Sequence, residues 1–189
     1  MRIAAIIFFA ASVLLFCVME VWMERRQNPG LDKSKDNRTL KLIHWCRNFA
    51  ILAIILSVFY PVVEIPIAPA ERFFISGVLA LIGTGIRFRA MTTLGAWFTN
   101  AVSTQTGQKI IKHGLYKYLR HPAYTGSLVF FLGVGLSTNS VWGFAAVMAL
   151  MSYALLRRIQ VEEKVLVVSF GQEYTDYMKT TKKLIPFVF

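Results

Sequence analysis

Apolar residues run along this chain in unbroken stretches rather than in the strict alternation of a half-buried strand. Residues 3–19, 49–63 and 73–86 carry no charged side chain, and 122–156 form a longer uncharged run. Helices that are apolar all round belong in an apolar medium, so these stretches predict membrane spans. The last run is too long for one straight span: roughly 35 residues would extend about 50 Å, against a hydrocarbon core of about 30 Å. Ser137-Thr138-Asn139-Ser140 near its middle supplies a polar turn. The run therefore divides into two antiparallel helices at 122–136 and 141–159. The shorter stretches are completed by flanking residues, with Arg47, Arg87 and Arg89 free to snorkel. The expected fold is an all-α integral membrane protein of about five transmembrane helices, the last two forming a helical hairpin. It reads as a single domain over 1–189. Residues 1–92 supply three N-terminal helices, and 93–189 the hairpin and the C-terminal segment.

Composition agrees with that picture and charge orients it. Of 189 residues, 56% are hydrophobic and 16% charged, and the net charge is +11. The basic residues are not diffuse. Arg25, Arg26, Lys33, Lys35, Arg38 and Lys41 follow the first stretch; Arg87, Arg89, Lys109, Lys112, Lys117 and Arg120 follow the third. Arg157, Arg158, Lys164, Lys179, Lys182 and Lys183 follow the fifth, whereas the opposite connections carry Arg72 alone, beside Glu64 and Glu71. The positive-inside rule then places the N-terminus out and the C-terminus in. Orientation accounts for the excess charge, and a nucleic-acid partner loses its support. The first stretch lacks a small-residue cleavage site after Met19, so it is expected to stay as a helix rather than leave as a signal peptide. Cys17 and Cys46 lie in or beside apolar stretches with no metal-ligand spacing, and read as small packing residues. The loop at 24–42, with Asn28-Pro29-Gly30 as a turn signal, reads as a solvated basic loop near anionic lipid.

Two constellations can carry chemistry, both at cytoplasmic ends. His113-Gly114-Leu115-Tyr116 leads into Arg120-His121-Pro122-Ala123-Tyr124. Pro122 suits the first turn of a helix, and a helix start beside Arg120 and His121 can hold an anion. A cosubstrate carboxylate and a lipid phosphate both answer that description. The second group is Arg158, Glu162 and Glu163, where the fifth helix leaves the bilayer. Arg158 and Glu162 share a helix face and form either an ordinary ion pair or part of a functional site. Gly83-Thr84-Gly85 and Gly133-Val134-Gly135 sit inside apolar helices, where close packing explains them better than nucleotide binding. With three histidines and no cluster, no metal is expected; His44 reads as an interfacial residue.

From Leu94 to Pro186 the order and spacing of short motifs resemble the isoprenylcysteine carboxyl methyltransferase family and the related phospholipid N-methyltransferases. The matching pieces are Leu94-Gly95-Ala96-Trp97, Gln108-Lys109-Ile110-Ile111, Gly114-x-Tyr116 and Arg120-His121-Pro122-x-Tyr124-x-Gly126. Beyond the hairpin they are Arg158-x-x-x-Glu162-Glu163 and Phe170-Gly171-x-Glu173-Tyr174-x-x-Tyr177. The resemblance implies a methyltransferase with S-adenosyl-L-methionine bound on the cytosolic side. It implies cofactor contacts from Gln108, Lys109, Ile110, Ile111, Tyr116, His121, Pro122, Ala123, Tyr124 and Glu162. Arg158 matches the arginine that the family places beside the substrate carboxyl group. Gln108 departs from the family, which often has histidine there.

These readings combine into one expectation. Arg158 positions a lipophilic or prenylated acceptor, Glu162 holds the cofactor, and His121 serves as base where the acceptor is a hydroxyl or amine. The acceptor enters sideways from the bilayer. Carboxyl methylation of isoprenylcysteine type leads; other lipid methylation, a sterol-reductase-like enzyme and a non-enzymatic membrane scaffold are the alternatives. The expected partners are the acceptor and membrane lipid, with no nucleic acid and no obligate protein partner. The small size points to a prokaryotic inner membrane.

Overall fold

The computed structural model describes residues 2–25, 36, 38–60, 62–99, 102 and 107–185. The Asn28-Pro29-Gly30 turn and Pro186 lie outside the described residues. Among the described residues, six α-helices follow in order: α1 (Arg2–Arg25), α2 (Thr39–Phe59), α3 (Pro69–Leu94), α4 (Pro122–Leu136), α5 (Val141–Phe170) and α6 (Gln172–Thr180). Short 3-10 turns stand at Gly95–Trp97 and Gly114–Lys117. Among the described residues there is no strand, only two isolated bridges, Glu64 with Ser140 and Leu119 with Lys182.

Local chemistry sets the helix ends. Pro69 opens α3 and Pro122 opens α4, each in the first turn where a missing N–H is no loss. Gly95 and Gly171, at φ 56° each, close α3 and α5 in a conformation that side chains with a Cβ avoid. Asn139 takes φ 59° in the tight turn of the hairpin. That turn falls where the polar run 137–140 predicts it. The helix after it, however, runs to Phe170 rather than 159, because no breaker precedes Gly171. Its polar last turns still form one helix with the apolar part. Among the described residues, four helices are long and apolar enough to cross a membrane: α1, α2, α3 with the turn after it, and α5. α4 is a shorter apolar helix of 15 residues, about 22 Å.

The helices contact in the order α1, α3, α4, α5, α2, with α3 against α4 the most extensive pair. Glycine allows that approach. A Cβ on Gly126 would stand 2.6 Å from Arg87 N and 2.6 Å from Gly83 O. Gly83 thus packs as its sequence setting implies, but Gly85 does not: nothing lies within 4 Å of its would-be Cβ. Many apolar side chains on the outside of α1, α2 and α3 remain exposed, among them Leu14, Ile51 and Phe74, as contact with a bilayer requires.

The C-terminal segment clasps the start of α4. Arg120 N donates to Lys182 O at 2.8 Å, Lys182 N to Tyr118 O at 3.0 Å, and Thr125 Oγ1 to Leu184 O at 2.7 Å. Tyr177 Oη adds a bond to Tyr116 O at 2.7 Å. This clasp fixes the 116–125 segment against α5 and α6.

Candidate functional site

The helix ends carrying the sequence motifs enclose one cavity of about 320 Å³. Gln108, Lys109, Ile110 and Ile111 form one wall, and Tyr116, His121, Ala123, Tyr124, Arg158 and Glu162 also line it. The structure therefore brings together every expected cofactor contact except Pro122. Pro122 is almost wholly buried behind the wall, where it starts α4 instead of facing the cavity.

Tyr124 links the two halves of the hairpin. Its hydroxyl donates to Glu162 Oε2 at 2.6 Å and accepts from Arg158 Nε at 2.8 Å. The i, i+4 pair read from the sequence is thus bridged by a phenol from the neighbouring helix. Arg158 is 3% exposed, and its Nη1 donates to Asp36 Oδ1 at 2.9 Å and to Thr39 Oγ1 at 3.1 Å. Tyr116 is buried beside Ala90, Ala123 and Ile111. Burial first, then the nearby Glu162 carboxylate, push its phenol well above the ordinary tyrosine range, so it stays neutral. Burial does the same to Tyr174 on α6, another cavity residue.

The anion site expected at the start of α4 is filled from within. Arg120 Nε bonds Glu163 Oε1 at 2.9 Å, and its Nη1 donates to the carbonyls of Met178 and Thr181 at 3.0 and 2.5 Å. The His121 amide donates to Lys183 O, and the Tyr124 amide to His121 O. Glu163 also meets His121 Nε2 at 3.3 Å and Lys183 Nζ at 3.6 Å. Arg120 and Glu163 accordingly hold the C-terminal segment in place. His121 stacks on Tyr124, with ring centroids 5.7 Å apart.

Three features escaped the sequence reading. Arg87 does not snorkel: it is buried in the cavity wall, paired with Glu20 at 2.6 and 2.8 Å and with Ser127 at 3.0 Å. His44, read from the sequence as interfacial, lines the cavity together with Arg47. Asp36, from the loop read as solvated, is buried against Arg158. Signals for the first and last existed. Glu20 is the first charge after the uncharged stretch 3–19 within α1, and Asp36 precedes Thr39 where a helix-start acceptor is expected. Among the described residues, no three His, Cys, Asp or Glu side chains gather as metal ligands would.

Comparison with known proteins adds a family. The family model described as phospholipid methyltransferase matches residues 72–173. A probable protein-S-isoprenylcysteine O-methyltransferase of Oryza sativa is 31% identical over 123 residues, covering 62% of this chain. Protein-S-isoprenylcysteine O-methyltransferase A of Arabidopsis thaliana is 27% identical over 159 residues, covering 80% of each chain. The Saccharomyces cerevisiae protein-S-isoprenylcysteine O-methyltransferase is 27% identical over 191 residues, covering 95% of this chain and 79% of its own. The chain spans 64% of the length of the rice relative. Among solved structures, the eukaryotic intramembrane Ras methyltransferase ICMT (isoprenylcysteine carboxyl methyltransferase) shares the fold, with a TM-score of 0.59 at 21% identity. That match covers 77% of this chain and 52% of that one. These relatives are eukaryotic, so they lend no support to the prokaryotic source expected from size.

Proposed function

This chain belongs to the phospholipid methyltransferase family, and we propose that it is an integral membrane enzyme that methylates the carboxylate of an isoprenylated cysteine or a similar lipophilic acid. The methyl donor in this reading is S-adenosyl-L-methionine, held on the cytoplasmic face with the N-terminus of the chain outside. The observation that carries it is the convergence of Tyr116, His121, Tyr124, Arg158 and Glu162 on one cavity.

The residues present fit such a donor. A volume of about 320 Å³ lies within the roughly 300–1,000 Å³ of small-molecule sites. Ile110, Ile111 and Tyr116 offer an apolar and aromatic wall for a base, and Glu162 a carboxylate for ribose hydroxyls or an amino group. Aromatic faces and carboxylates also favour a cation such as a sulfonium. When bound, the cofactor supplies a methyl group already activated on sulfur.

What remains for the protein is alignment and exclusion of water, which together account for several kcal/mol of the barrier. Arg158, pinned at Nε by Tyr124, positions the acceptor carboxylate. Because Tyr124 also holds Glu162, the acceptor and cofactor groups are fixed relative to one another. A carboxylate nucleophile needs no base at neutral pH. His121 then serves to position Tyr124 and close the wall; with a hydroxyl or amine acceptor it becomes the candidate base. The acceptor's apolar chain enters from the bilayer between helices.

Labelling a lipid and prenylpeptide extract with radioactive methyl donor tests the acceptor class. Alkali-labile label, released as methanol, is the expected result for a carboxyl ester. Alkali-stable label on an amine headgroup would replace this reading with phospholipid N-methylation.

A further inference from the structure

Asp36 and Arg158 come from distant parts of the chain and meet in its interior. The Asp36 carboxylate is held independently of the arginine. Its Oδ2 accepts from Leu40 N at 2.9 Å, and its Oδ1 from Val102 N and Thr39 Oγ1 at 3.1 Å each. The same Oδ1 accepts from Arg158 Nη1 at 2.9 Å. Asp36 does not line the cavity, whereas Arg158 does. It also lies outside residues 72–173, the span matched by the family model.

We propose that Asp36 is a positioning residue for methyl transfer, which holds the Arg158 guanidinium in place and offsets part of its charge. This rests on the functional reading above. With Nη1 on Asp36 and Nε on Tyr124, the guanidinium plane is fixed from two sides. The charge matters because of what the reaction does to the acceptor. Methyl transfer forms a carboxylate O–C bond and returns the breaking C–S pair to sulfur, so the acceptor's negative charge vanishes. With less of its charge offset, the guanidinium would hold the charged ground state more tightly relative to the transition state, lowering KM and kcat together. Asp36 shares the guanidinium with the acceptor and weakens that unproductive grip.

Steady-state kinetics of full-length protein in detergent, with N-acetyl-S-farnesylcysteine as acceptor, tests this. Asp36→Asn keeps the shape and deletes the charge. It is expected to lower kcat by about 10–100-fold, as misplacement of a reacting group does, and to lower KM as well. Affinity for S-adenosylhomocysteine should stay at the wild-type level. Wild-type kcat and KM, or a raised KM, would overturn the role. If Asp36→Asn no longer binds S-adenosylhomocysteine and so has lost its fold, Asp36→Glu carries the test. That variant keeps the charge but moves it, so KM should hold while kcat falls; a raised KM or unchanged kcat contradicts the proposal. Absence of turnover by the wild-type protein would instead sink the functional reading, which separates the two failures.

Discussion

Arg158 Nε donates to the Tyr124 hydroxyl at 2.8 Å and so joins α5 to α4 at the mouth of the hairpin. The hydroxyl passes its own proton toward Glu162 at 2.6 Å. A single phenol therefore sets the distance between the group assigned to the acceptor and the group assigned to the cofactor.

Tyr124→Phe removes both bonds and keeps the ring. A hydrogen bond to a charged group contributes about 1.5–3 kcal/mol. Affinity for S-adenosylhomocysteine should fall about 10–100-fold by calorimetry, and turnover should fall further because Arg158 is released as well. Unchanged affinity would remove Tyr124 from the pocket.

Arg158→Ala should separate binding from chemistry. Cofactor affinity is expected to persist, since Glu162 and the 108–111 wall remain, while kcat drops about 100-fold or more with loss of alignment. A variant with normal turnover would take Arg158 out of the mechanism.

Glu163→Gln should loosen the C-terminal clasp. Its carboxylate meets Arg120 at 2.9 Å and Lys183 at 3.6 Å with little solvent contact. Breaking such a buried pair costs about 3–5 kcal/mol. The expected outcome is a lower Tm in detergent and faster proteolysis after Thr180. Equal Tm and equal proteolysis would show that the clasp holds without the carboxylate.

Gly126→Ala should destabilise the α3–α4 crossing. Its Cβ would meet Arg87 N and Gly83 O at 2.6 Å, both backbone atoms that can move only with their helix. Overpacking of this kind costs about 1–3 kcal/mol, readable as a lower Tm. The paired control is Gly85→Ala, whose Cβ enters open space and should not lower Tm.

Acid should release Asp36 late. Burial alone would raise its carboxyl; the Leu40 and Val102 amides and then Arg158 outweigh that and hold it below the ordinary 3.8. A lowered folded-state value means its stabilising effect is complete above the unfolded value and is lost as pH falls through the folded one. Between pH 7 and 5, Tm of wild type and Asp36→Asn should therefore run in parallel. A gap that closes over that range would contradict the assignment.

Local signals explain what the sequence revealed and what it hid. The hairpin was legible because its polar turn interrupts an otherwise uncharged run, and the ends of α4 follow from Pro122 and the 137–140 turn. The far end of α5 was not, because its polar last turns resemble a loop by composition while remaining helical up to Gly171. Candidate chemistry was legible by type and spacing at 113–124 and 158–163, and at 108–111 only through the family resemblance. Their partners were not. Glu20 and Asp36 pair with Arg87 and Arg158 at sequence separations that no helical or strand period reports. Arg120 misled for a related reason: a guanidinium beside a helix start looks the same in sequence whether it awaits an outside anion or already holds Glu163.

Calorimetric titration of the purified protein with S-adenosylhomocysteine bears most directly on whether the cavity is a methyl-donor site. Saturable binding by the wild type, abolished in Glu162→Ala, is the outcome this account requires. A wild-type protein that takes up no ligand, or a Glu162→Ala variant that binds it equally well, would contradict it.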